Sequence, residues 1–252
     1  MAELRDLIGV PGDQLDLAAA AFDGFDASFD ESSDAVWMAE VADESTHVWS
    51  SKPRTALFLA AMRHFAIALQ AAGRPLHYTQ LNAADNARSL QAQLQADIAR
   101  LRPARLVMAA PGDWRVLQAV KAVAAASGLP LEIREDRHFF CTVREFAAHA
   151  QGRKSLRMEY FYREQRKRHG VLMHGDEPIG GQWNFDADNR EAFGAAGPGD
   201  VPPRTRFEPD TVTRAVIALV NTRFAAHPGQ LHSFAWPVTR AQALQSLRAF
   251  IT

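Results

Sequence analysis

Arg105-Leu106-Val107-Met108-Ala109-Ala110-Pro111-Gly112-Asp113-Trp114-Arg115 decides the fold. Arg105–Ala109 reads as a strand, apolar after its first residue as in a sheet covered on both faces. Pro111-Gly112 turns the chain, and Asp113 is placed to cap a helix. Trp114–Ala126 has helical spacing until Gly128 stops it, and Leu129–Arg134 reads as another strand. The same unit repeats upstream. Ala87–Leu101 reads as a helix, with Asp85 or Asn86 as its N-cap, and Leu76–Thr79 as a strand. Pro53–Ala72 is a helix with proline in its first turn, and Gly73 ends it. Phe58, Met62, Phe65 and Leu69 fall on one face of it. Ala35–Glu40 and Leu7–Val10 are strand candidates. Strands alternating with helices imply an α/β fold: a doubly wound, parallel, five-stranded sheet with helices on both faces. Residues 1–142 are expected to form this domain.

Past residue 142 the pattern changes, and residues 143–252 read as a helical region. Glu191–Pro209 is rich in proline and glycine and reads as a linker, while Asp210–Phe224 and Thr239–Ile251 read as helices. The sequence stops at Ala249-Phe250-Ile251-Thr252, in mid-helix by pattern, which reads equally as a missing continuation or as a frayed terminal helix. The chain has 252 residues and a formal net charge of -1, so any affinity for nucleic acid would need a local patch. Cys141 is the one cysteine, which excludes an internal disulfide and cannot alone hold zinc or an iron–sulfur cluster. The N-terminus lacks an apolar signal region, and no apolar run nears the roughly 20 residues of a membrane span. A cytoplasmic protein without membrane contact is expected.

Three turns follow strands at what would be one edge of a parallel sheet, where doubly wound folds bind ligands. Gly12-Asp13-Gln14 follows the first strand, where glycine allows close backbone approach. Glu40 to His47 follows the second, and the carboxylates of Glu40 and Glu44 are candidate hydrogen-bond acceptors. Pro111–Arg115 follows the fourth, with Trp114 as a stacking face. Each also reads blandly, as a simple turn, a solvated acidic loop or a core tryptophan. There is no G-x-G-x-x-G and no phosphate-binding loop. No nucleophile or base pair stands out, so no catalytic residue is assigned. His138, His149, His169 and His174 lack metal-ligand spacing, so no metal is assigned. In the helix from Pro53, Met62 and Phe65 read as core, whereas Arg63 and His64 read as surface or interface residues.

Two later runs are more specific. Gly152 to Met173 carries seven Arg or Lys residues and the triplet Tyr160-Phe161-Tyr162 in what reads as one helix and its approach. Gly180-Gly181-Gln182-Trp183-Asn184-Phe185-Asp186-Ala187-Asp188-Asn189-Arg190 comes soon after. Glu159 and Glu164 interrupt the basic stripe, which favours an interdomain helix over a nucleic-acid groove. Direct DNA binding is therefore expected to be weak or absent.

With Gly12–Leu15, Glu40–Val48, Met62–Ala66, Asp85–Ala87, Pro111–Val116 and Asp136-Arg137, these runs resemble, in order, the prokaryotic photolyase-related proteins, the iron–sulfur bacterial cryptochromes and photolyases. The resemblance covers nearly the whole chain. It implies that the α/β domain is the family's antenna domain, similar to one binding 6,7-dimethyl-8-ribityllumazine. Gly12, Asp13, Gln14, Glu40, Glu44 and His47 would be pocket residues, with His47 where a tyrosine is common. It implies that FAD and a four-cysteine cluster belong to a half absent here, so that this chain performs no DNA repair alone. Exposed apolar surface would then favour self-association or docking to a flavin domain. Two other readings stay open: a small nucleotide-binding enzyme on a flavodoxin-like sheet, and a docking domain for a separate flavin partner.

Overall fold

A computed structural model describes residues 4–23, 33–186, 190 and 192–251. The chain divides into two compact units, one of residues 1–136 with 204–252, the other of residues 137–203.

The first unit is built on five parallel strands: β1 (Asp6–Gly9), β2 (Asp34–Ala39), β3 (Leu76–Thr79), β4 (Arg105–Ala109) and β5 (Leu131–Arg134). They lie in the order β3-β2-β1-β4-β5. Ile8 stands beside Val36 on one side and Val107 on the other. The expected doubly wound sheet is therefore present. Its connections are α1 (Asp43–Thr46), α2 (Lys52–Ala71), α3 (Leu90–Leu101) and α4 (Trp114–Ala126). The N-cap of α3 is Ser89, not Asp85 or Asn86; its hydroxyl accepts from the Ala92 N–H at 3.2 Å.

Because strand side chains alternate in direction, each strand feeds two cores. Ile8, Val36, Met38 and Val107 pack with Met62, Phe65 and Leu69 of α2. Leu7, Trp37, Leu106 and Met108 pack with Leu94 and Ile98 of α3 and Val116, Val120 and Val123 of α4. The polar edge of Trp37 is satisfied too: its Nε1–H donates to buried Asp97 at 2.9 Å. Hydrogen bonds from Gln93, Trp37 and Arg100 outweigh the opposing effect of burial and hold the Asp97 pKa below its ordinary value.

Helix α2 is buried on two sides. Its second apolar face, Ala56, Leu59 and Ala60, packs with Val216 and Val220 of α7 (Thr211–Arg223) and with Phe224, Leu231, Phe234 and Val238. The chain thus returns to the sheet-bearing unit after residue 204. The returning segment also closes the N-terminus of α2. Lys52 N–H donates to the Pro228 carbonyl at 2.8 Å, and His227 Nδ1 lies 2.8 Å from the Ser50 carbonyl oxygen. The last helix, α8 (Arg240–Ile251), buries no residue, and Leu244, Leu247, Phe250 and Ile251 are exposed.

In the second unit, α5 (Val143–Ala150) starts at a reciprocal capping box between Thr142 and Glu145. The basic stripe forms α6 (Met158–His169), so its helix is shorter than the run from Gly152. Phe146, His149 and Phe161 meet ring to ring between the two helices. The Trp183 ring is faced by Arg163, Arg166 and Lys167 of α6 at 5.3–5.6 Å. The tyrosine–arginine stripe is thus partly spent on holding the Gly180–Phe185 segment. A small hairpin, β6 (Met173–His174) with β7 (Glu177–Pro178), follows α6.

Candidate functional site

The strand order reverses beside β1, since one run goes outward through β2 and the other through β4. There the loops after β1 and β4 diverge and leave a crevice. A cleft of about 560 Å³ opens at this edge. That volume falls within the usual range for small-molecule sites, ~300–1,000 Å³.

Four stretches supply most of it, with Leu90 of α3 and Val116 of α4 completing the lining. After β1, Val10 to Asp13 form the floor near the switch point. After β2, Glu40 and Val41 lead into Glu44, Ser45, His47, Val48 and Ser50. One edge of α2 supplies Arg54, Phe58 and Met62, spaced by a helical turn, with Thr55 and Leu59 beside them. After β4, Pro111, Gly112 and Asp113 close the opposite side. Gly12 is where α2 comes nearest: a Cβ there would lie 2.9 Å from Met62 Sδ. Gln14 ties the two diverging loops together, its Nε2 donating to the Ala110 carbonyl at 2.8 Å.

The seven residues read from sequence therefore separate. Gly12, Asp13, Glu40, Glu44 and His47 all line the cleft. Gln14 does not; it fastens the rim. Trp114 also lies outside the lining and is 72 % exposed, neither core nor stacking wall. As the first residue of α4 it points away from a helix face that already buries Val116, Val120 and Val123.

Glu40 is near the cleft, yet its carboxylate is fully engaged. Oε1 and Oε2 accept from Arg63 Nε and Nη2 at 2.8 and 2.9 Å. Leu81 N–H donates to Oε2 at 2.8 Å, and the Tyr78 hydroxyl donates to Oε1. Those bonds use about all the lone-pair sites a carboxylate has. Burial, with the Glu40 charge next, raises the Tyr78 pKa far above a free phenol's, so it remains a donor. Arg63, expected as a surface or interface residue, is buried and paired within the sheet-bearing unit. Glu40 is thus a strut joining β2, β3 and α2, rather than an open acceptor.

The rim is acidic on the β1 and β4 side. Desolvation raises the Asp13 pKa, and the charges of Asp136, Asp113 and Glu44 push it the same way. The group still meets solvent at the mouth, which screens these charges. Arg115 bridges the rim: Nη1 and Nη2 reach Glu44 at 2.8 and 2.9 Å, and Nη2 reaches Asp113 at 3.1 Å. Asp113 Oδ1 accepts the Arg115 N–H at 2.7 Å, so the N-terminus of α4 is already occupied by a carboxylate. Ser51 caps α2 in the same way, accepting the Arg54 N–H at 3.4 Å. A phosphate therefore finds neither helix N-terminus open to it. Arg54 is the cation of the lining, with its guanidinium 5.6 Å from the Phe58 ring centre.

Sequence reasoning missed Arg54, Thr55 and Phe58 as lining residues. The signal is present in the four-residue steps Arg54, Phe58 and Met62, but the sequence reading takes the stripe from Phe58 to Leu69 and assigns its Met62 and Phe65 to the core. Phe58 is instead 37 % exposed and forms an apolar wall. Among the described residues, no group of three or more His, Cys, Asp or Glu is placed to hold a metal ion. Cys141 is solitary in the second unit, so these residues do not fit a four-cysteine cluster. Among the described residues, no helix is long and apolar enough to cross a membrane.

Comparison with known proteins agrees with this architecture. Residues 8–236 match the family model described as deoxyribodipyrimidine photo-lyase-related protein. A (6-4) photolyase of Agrobacterium fabrum (strain C58 / ATCC 33970) is 41% identical over 249 residues, which are 98% of this chain and 48% of that protein. The chain thus spans about half the length of that curated relative. With the match covering most of its length, the chain belongs to the deoxyribodipyrimidine photolyase-related protein family.

Proposed function

We propose that this chain is a chromophore-binding module of a photolyase-related protein, taking 6,7-dimethyl-8-ribityllumazine or a close analogue in the switch-point cleft. One observation carries the reading: Gly12, Asp13, Glu44 and His47 converge with Phe58 on one cleft of about 560 Å³ in a member of this family. Phe58 and Val48 supply apolar surface for a flat ring. Asp13, Ser45, Glu44 and His47 supply hydrogen-bonding groups for ring edges and ribityl hydroxyls. The chromophore would serve as a light-harvesting group; the chain's own part is to orient it and keep bulk water from its inner face. Capped helix N-termini and the missing glycine-rich loop weigh against a nucleotide bound through its phosphates, and so against the nucleotide-binding enzyme.

The relative named a (6-4) photolyase extends well past the span this chain covers. We place light-driven lesion reversal in that further span and expect none from these 252 residues alone. The test is a fluorescence titration of the purified protein with the lumazine. Saturable binding is expected, and Glu44→Ala should weaken it roughly five-fold through loss of a hydrogen-bond acceptor. A well-folded wild type that does not bind the lumazine refutes the module. Light-dependent repair of ultraviolet-damaged DNA by the chain alone refutes the division of labour.

A further inference from the structure

We infer that Thr55 is a ligand contact of the cleft and that its hydroxyl is held without a partner until the ligand arrives. Thr55 lines the cleft and is only 3 % exposed. Its Oγ1 is buried and, among the described residues, has no hydrogen-bond partner. Buried hydroxyls are seldom left so, because they have given up their water.

The local acceptors and donors explain why none of the described residues satisfies it. A helical threonine usually turns its hydroxyl to the carbonyl four residues back. Here that carbonyl, Ser51 O, accepts the Thr55 N–H at 3.0 Å, and the Thr55 hydroxyl makes no bond to it. The Ser51 hydroxyl is engaged by the Arg54 N–H, and the Ser50 carbonyl faces His227 Nδ1 at 2.8 Å. On the inner side Thr55 adjoins Ala56 and Leu59, which belong to an apolar cluster. A turn of χ1 from one staggered well to the next exchanges hydroxyl and methyl without moving the helix. A ligand bearing a ring carbonyl, ring nitrogen or hydroxyl on the α2 side of the cleft would give Oγ1 the partner it lacks. Thr55 then fixes the ligand's orientation from the α2 side of the cleft. A purely apolar ligand would leave the hydroxyl as it is, so Thr55 selects for a polar ring edge.

The inference rests on the ligand-binding reading of the cleft. Thr55→Val and Thr55→Ser separate a ligand contact from a structural role. Valine keeps the shape and removes the orphaned hydroxyl. Without ligand, Thr55→Val is expected to unfold at the same or a higher temperature than wild type. With 6,7-dimethyl-8-ribityllumazine it should bind about ten-fold weaker, while Thr55→Ser stays within about two-fold of wild type. Equal affinities of wild type and Thr55→Val would overturn the inference and leave the cleft reading intact. Loss of stability and affinity together in Thr55→Val would also overturn it, because the hydroxyl would then be holding the fold. A folded wild type that binds no lumazine overturns both readings.

Discussion

Removing the Arg63 guanidinium would leave the Glu40 carboxylate buried, with only Tyr78 and the Leu81 N–H as donors. Breaking one side of a buried ion pair costs about 3–5 kcal/mol. Arg63→Met should therefore lower unfolding stability by that order in urea melts; a loss under about 1 kcal/mol would show that the strut is not holding the sheet edge to α2. Asp13 behaves in the opposite sense. Its folded pKa is raised, so above that pKa the folded state carries a charge it disfavours, while the unfolded chain carries it freely. Below the ordinary carboxylate value of 3.8 both states are protonated and the difference vanishes. Asp13→Asn should raise the melting temperature at neutral pH and leave it unchanged near pH 3 (roughly one unit below that value). An equal shift at both pH values would contradict the assignment. At this scale the sequence puts Asp13 and Glu44 at the edge of the sheet where both line the cleft, because a turn after a parallel strand has one place to go. It could not show that Glu40 is already taken. That depends on Arg63, Tyr78 and Leu81 meeting it from α2, β3 and the loop beyond, and no spacing rule records such a meeting.

Among the elements, α2 does most to shape the site, and its burial on two sides explains both what was legible and what was not. Of the stripe Phe58, Met62, Phe65 and Leu69, the last three face the sheet and Phe58 lines the cleft. The small residues Ala56 and Ala60, which let α7 approach, gave no periodic signal of their own. The partner that covers them arrives about 150 residues later in the chain, beyond the reach of local pattern. The segment before α8 locks the arrangement at Gly229, whose φ of 90° is left-handed backbone that favours glycine. A Cβ there would lie 2.8 Å from Pro53 Cδ, and the Pro53 ring cannot swing aside as a flexible chain would. Gly229→Ala should destabilise the protein by about 1–3 kcal/mol and loosen the mouth of the cleft at Ser50. Hydrogen exchange over residues 50–55 would report the loosening; unchanged protection and stability would mean the clamp is dispensable.

For the whole molecule, the βα alternation led directly to the five parallel strands, and the observed order places the switch point between β1 and β4. The loops after β1, β2 and β4 were legible as site-forming because parallel strands put their C-terminal ends on one edge. Trp114 shows the limit of that logic: it follows β4 at the right edge yet faces solvent, since helix rotation decides direction and the α4 core positions Val116, Val120 and Val123 set the rotation. Family membership rests on long matched runs over most of the chain, including the Gly152–Met173 stripe in the second unit. The lumazine remains a proposal, drawn from the family resemblance and from a cleft of suitable size and lining. The most direct test mixes the purified chain with 6,7-dimethyl-8-ribityllumazine, passes it through a gel-filtration column and reads the absorbance of the protein peak. The account predicts close to one lumazine retained per chain for wild type, and none for a folded Ser45→Trp variant in which the indole fills the cleft. A colourless wild-type peak, or equal retention by Ser45→Trp, would contradict it.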